Sequence, residues 1–114
     1  MKQLLVLVAL TLAGCSDDPS AGGDVQAGKL LLRQYGCGTC HEIPGVAAAQ
    51  GRVGPPLEGV AERVYLAGRI ANTRENMARF IRAPQAVDPR TAMPDMQVSE
   101  AHARDMVAYL YTLK

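Results

Sequence analysis

Apolar and polar positions along the chain fall into three segments of helical period, separated by stretches rich in Gly and Pro. Asp24 can cap a first helix in which Val25, Leu31, Leu32 and Tyr35 mostly repeat at helical spacing, ending at Gly36. Gly28 inside it costs about 1 kcal/mol relative to Ala, which a close helix–helix contact would explain. A second helix is predicted from Thr73, or from Asn72 with Glu75 three residues on, with Met77, Phe80 and Ile81 on one side. Pro84 stops it after Arg82 or Ala83. Ser99 caps a third, with Ala103, Met106, Val107, Leu110 and Leu113 inward. Between these segments, residues 42–59 read as a loop wrapping something, followed by a short helical turn near Leu57 to Arg63. Pro84, Pro89 and Pro94 punctuate an irregular connection, and Asp88-Pro89 reads as solvated surface. Neither an internal repeat nor a strand pattern is evident, so the class is all-α.

Composition narrows the picture. A chain of 114 residues makes one small domain with one compact site. Its 48% hydrophobic and 20% charged residues and net charge of +1 exclude a disordered tail and give no basis for nucleic-acid binding. With one Phe and no Trp, the core lacks the bulky side chains that so small a domain needs, and something else must fill it.

The N-terminus reads as processing information. Lys2 is a short basic start, Leu4 to Leu12 carries no charge, and Leu12-Ala13-Gly14-Cys15 sets small residues before a cysteine. The apolar run is too short to cross a bilayer as a helix. It reads as a signal peptide over residues 1–14 whose ending resembles a bacterial lipobox, which implies that Cys15 is lipidated and becomes the first mature residue. Residues 15–23 are then the lipidated Cys and a linker, and residues 24–114 the domain. An ordinary secreted protein with an incidental Cys is the alternative. With Lys2 removed, 11 of the 12 Lys and Arg remain against 11 Asp and Glu, so the mature chain is formally neutral.

Two cysteines remain, and the string is Cys37-Gly38-Thr39-Cys40-His41. On one helical turn, positions i, i+3 and i+4 share a face, so two thiols can add to the two vinyl groups of a haem while the imidazole reaches its iron. A disulfide, a thioredoxin-like redox pair and a zinc site use related spacings. The redox pair would need a βαβ pattern, and zinc would need a fourth ligand for which no further Cys is on offer.

The chain is here similar to the class I c-type cytochromes. Gly23-Asp24-Val25-Gln26-Ala27-Gly28-Lys29 running into the Cys-x-x-Cys-His motif resembles that family's first helix and haem attachment site. Gly54-Pro55-Pro56-Leu57 resembles its Gly-Pro-x-Leu loop, Ala92-Met93-Pro94 its axial methionine, and Val107-Ala108-Tyr109-Leu110 its last helix. The resemblance implies a small cytochrome c fold, with three main helices and loops wrapped around one covalent haem c. Cys37 and Cys40 would be the thioether positions and His41 an axial iron ligand. The resemblance also implies that the first and last helices cross at Gly28, that the Pro55 carbonyl anchors His41, and that Arg63 is a candidate partner for a haem propionate.

For the sixth iron position, His102 lies on the helix face opposite Met106 and Leu110 and is expected in solvent. Met77 and Met106 sit at core spacing. Met93 and Met96 lie in a Pro-bounded loop able to fold back over a haem. Met93 is the choice, since Pro94 fixes the backbone beside it and the position matches the family's, with Met96 as the alternative. A thioether favours reduced iron and raises the potential relative to two imidazoles.

The expected function is a membrane-tethered carrier of single electrons, not an enzyme, facing the periplasm or extracytoplasmic space from the cell membrane or the outer membrane. Its donor and acceptor would come from proteins such as a bc-type reductase, a terminal oxidase or a periplasmic dehydrogenase, with no nucleic acid involved and a monomeric state. A haem enzyme or gas sensor with an open or labile sixth iron position is the alternative, and a scaffold subunit whose haem only staples the fold is a third reading.

Overall fold

The computed structural model describes residues 22–114. The expected leader, Cys15 and most of the linker lie outside the described residues. Helix α1 spans Val25–Gln34 and is followed by a 3-10 turn at Cys37–Thr39. A second 3-10 turn at Val60–Glu62 leads into a short antiparallel ladder of β1 (Tyr65–Leu66) and β2 (Ile70–Ala71). Helices α2 (Arg74–Arg82), α3 (Pro84–Val87) and α4 (Glu100–Leu110) complete the chain. The fold is a small all-α one with three main helices.

Each main helix starts where a side chain can satisfy an otherwise orphaned backbone N–H. Asp24 Oδ1 accepts from Ala27 N–H at 2.9 Å, Thr73 Oγ1 from Asn76 N–H at 3.1 Å, and Ser99 Oγ from His102 N–H at 3.1 Å. The cap of α2 is therefore Thr73 and not Asn72. Asn72 instead donates its side-chain amide to the carbonyls of Val60 and Arg63, at 2.9 and 2.8 Å, and accepts from Tyr111 Oη at 2.8 Å. It thus ties the 3-10 turn at Val60 to the end of α4.

Helices α1 and α4 cross against each other at Gly28. A Cβ built there would lie 2.5 Å from the carbonyl carbon of Asp105 and overlap its oxygen. The backbones touch because neither side contributes a side chain at that point. Asp24 N–H, donating to Asp105 Oδ1 at 2.8 Å, fixes the crossing from its edge. Around it Leu31 and Leu32 from α1, Met77 and Ile81 from α2 and Ala103, Met106, Val107 and Leu110 from α4 are buried in one cluster with Ile43, Val46 and Val98 from the loops. Aliphatic side chains dominate it and Phe80 is only half-buried, in line with the poverty in aromatics.

Three expectations need correction. The β1–β2 ladder has no counterpart in the sequence pattern, since two residues per strand are too few for an alternation to register. Pro84 ends α2 as expected but also opens α3, because its fixed φ and missing N–H suit a first helical position. Asp88 is not simply solvated: it meets Arg69 Nε at 3.2 Å and accepts Arg90 N–H at 3.1 Å.

Candidate functional site

Beyond α1 the chain turns at Gly36 (φ 74°), and Thr39, Cys40 and His41 donate their N–H groups back to the carbonyls of Gly36 and Cys37. This tight turn gathers Cys37, Cys40 and His41. The following loop folds back over it: Gly51 N–H donates to Gly38 carbonyl at 3.0 Å, Gly54 N–H to Cys40 carbonyl at 2.7 Å, and Leu57 N–H to Glu42 carbonyl at 2.9 Å. Tyr109 Oη, on α4, donates to the Pro44 carbonyl at 2.6 Å and pins the loop's first corner.

His41 is held by its own loop. Its Nδ1 lies 2.7 Å from the carbonyl oxygen of Pro55, and since that oxygen can only accept, Nδ1 is the donor and Nε2 is the nitrogen left for a metal ion. A neutral imidazole with one nitrogen anchored and the other bare is the form that binds a metal ion. Gly54 lies flat against the ring: a Cβ there would stand 2.8 Å from Nδ1 and 3.0 Å from Nε2. Gly54→Ala should therefore turn the imidazole and loosen its bond to Pro55. Expected are a fall in the unfolding midpoint equivalent to about 1–3 kcal/mol and a perturbed absorption spectrum of the haem-loaded protein. A wild-type spectrum and midpoint would show that the ring has room.

Cys37 and Cys40 form no disulfide with each other. Burial pushes the Cys37 thiol above its usual range, with the neighbouring Cys40 adding to the effect against an opposing backbone hydrogen bond. A thiol-redox pair needs the reverse, a nucleophilic cysteine with a depressed pKa. Among the described residues no three His, Cys, Asp or Glu side chains converge as a metal-binding group, which disfavours zinc. Separate thiols beside a ligand-ready imidazole instead suit a wide planar group bonded at several atoms.

Of the two loop methionines, Met93 is half-buried and packs against the core cluster that Cys37 also touches, while Met96 is 44% exposed. Met77 and Met106 are buried in that core. Arg63 donates to the Pro56 carbonyl, which places its guanidinium along the loop that holds His41. His102 is exposed as expected, yet its Nδ1 lies 2.8 Å from Tyr35 Oη, a bond from α4 to the end of α1 that helical periodicity could not reveal.

Residues 25–114 match the family model described as cytochrome c. This chain belongs to the cytochrome c family. The cytochrome is 32% identical over 88 residues to the cytochrome c oxidase subunit 2 of Alkalihalophilus pseudofirmus, an alignment covering 76% of this chain and 25% of that protein. It thus spans about a quarter of that relative's length. Its fold is similar to that of cytochrome c2 from Rhodobacter sphaeroides, with a TM-score of 0.61, 22% identity and coverage of 80% of this chain and 96% of the other. The cytochrome carries a covalently bound haem c. Its residues fit that group: two cysteines on one turn that are not joined to each other, an imidazole anchored through Nδ1, and a glycine that leaves the ring its space.

Proposed function

We propose that this cytochrome is a membrane-tethered carrier that moves single electrons between periplasmic or respiratory partners and performs no catalysis. The bound haem would supply a one-electron ferric/ferrous couple. His41 Nε2 and Met93 Sδ would occupy its two axial positions, and Cys37 and Cys40 would hold it by thioether bonds. The observation that carries the reading is the 2.7 Å bond between His41 Nδ1 and the Pro55 carbonyl, a backbone anchor that fixes the orientation of the imidazole. A ligand set that does not rearrange suits repeated electron exchange. A Met93 side chain half-buried against the core cluster suits a filled sixth position, and this favours a carrier over a gas sensor or haem enzyme.

Kinship with a stretch of an oxidase subunit favours a terminal oxidase as acceptor, with a bc-type reductase or a periplasmic dehydrogenase as donor. The haem-loaded protein should be low-spin and six-coordinate, and membranes bearing the oxidase should reoxidise it after reduction. A high-spin ferric spectrum with immediate carbon monoxide binding on reduction would replace the carrier by the enzyme or sensor reading.

The tether rests on Lys2, the uncharged run to Leu12 and Leu12-Ala13-Gly14-Cys15, which mark an exported lipoprotein. No helix among the described residues is long and apolar enough to cross a membrane. Ser16 to Gly22 can span at most about 24 Å, so a lipid on Cys15 would confine the domain to a thin layer beside membrane partners. Cys15→Ser should release the protein into the soluble fraction with its haem spectrum unchanged. A wild-type protein already wholly soluble after fractionation would remove the tether.

A further inference from the structure

We propose that Gln85 is a positioning residue for the sixth iron ligand, its side-chain amide holding the Met93 segment closed over the haem. The proposal rests on the reading of Met93 as that ligand. Among the described residues, no backbone–backbone hydrogen bond engages residues 92–98, so this stretch is held by side chains alone. Two of those bonds grip the Met93 peptide itself. Its N–H donates to Thr91 Oγ1 at 3.2 Å, and its carbonyl accepts from Gln85 Nε2 at 2.8 Å. The Thr91 bond stays within the segment and fixes only its local shape. The Gln85 bond alone of the two ties that segment to a helix.

Gln85 acts from a firm base. It stands on α3, whose Pro84 is fully buried, and Asp88 closes that turn with its N–H on the Pro84 carbonyl at 2.9 Å. The Asp88 carboxylate, 3.2 Å from Arg69 Nε, fastens the same turn to the loop between β1 and β2. Pro94 follows Met93 and brings no N–H, so the Met93 carbonyl is the peptide group next to the sulfur-bearing side chain that remains for an outside donor. A net hydrogen bond is worth about 0.5–1.5 kcal/mol, so losing it should make opening of the segment about fivefold more frequent, within roughly two- to tenfold.

The test uses the haem-loaded protein and imidazole as an external ligand, which binds ferric iron only when the resident sixth ligand has left. Gln85→Leu removes the donor, and Gln85→Glu keeps the shape and length while also removing it. Both should raise the rate of imidazole binding about fivefold, with the sulfur-to-iron charge-transfer band retained and global stability lowered by no more than the loss of that one hydrogen bond. Rates within about 1.5-fold of wild type in both variants would overturn the proposal, as would a loss of global stability well beyond that one hydrogen bond, which would mark Gln85 as a general brace. Met93→Ala separates the two levels of argument. If it abolishes the band while the Gln85 variants do nothing, only the Gln85 proposal falls; if it leaves the band intact, the Met93 reading falls and takes this proposal with it.

Discussion

Replacing Met93 by Ala should abolish the sulfur-to-iron charge-transfer band of the oxidised protein, lower its reduction potential and let carbon monoxide bind as soon as the iron is reduced. Four methionines lie among the described residues, and their surroundings differ. Met106 is fully buried on α4 and Met77 is 3% exposed on α2, so freeing either for the iron would open the core at a cost of about 2–5 kcal/mol. Met96 is 44% exposed. Only Met93 combines a loop backbone with a half-buried side chain packed on the cluster that Cys37 also touches. Loss of a soft thioether removes the preference for reduced iron and leaves a vacancy that Ala cannot fill. Met96→Ala should keep the band, the potential and the resistance to carbon monoxide. The reverse pattern in the two variants would move the ligand to Met96, and retention of the band in both would point outside this loop.

Gly28→Ala should destabilise the protein by about 1–3 kcal/mol, although helix propensity by itself favours Ala by about 1 kcal/mol. The two effects have opposite signs, so the measurement is decisive. The new Cβ would stand 2.5 Å from the Asp105 carbonyl carbon and 3.1 Å from Met106 N, and these are backbone atoms inside α4 that cannot rotate away. Relief requires α1 and α4 to separate. That separation stretches the Asp24 N–H to Asp105 bond and unpacks Leu32 and Met106, each worth about 1.5–3 kcal/mol in burial. In a domain of this size, 1 kcal/mol corresponds to about 4–8 °C in Tm. Thermal unfolding of the haem-loaded variant should show a fall of that order per kcal/mol lost, with an unaltered haem spectrum. A Tm at or above the wild-type value would mean that the helices do not meet at Gly28.

What could be read from the amino acids alone was what depends on near neighbours in the chain. Asp24, Thr73 and Ser99 announce helix starts because a cap bonds an N–H three residues on. Cys37, Cys40 and His41 announce haem attachment because one turn brings positions three and four apart onto a single face. Pro55 rests on resemblance to a family, Met93 on its Pro-bounded loop together with that resemblance, and the crossing at Gly28 is half legible, as an unexplained glycine in a helix. The tertiary structure decided the rest: that Pro55 stands 2.7 Å from His41 Nδ1, that Asn72 braces the Arg63 turn instead of capping α2, that His102 meets Tyr35, and that Gln85 reaches the Met93 carbonyl. In each of these pairs at least one partner is a backbone carbonyl or a polar side chain of a common type. Such groups carry no periodicity and no distinctive spacing, and they meet only after loops of eight to 67 residues have closed.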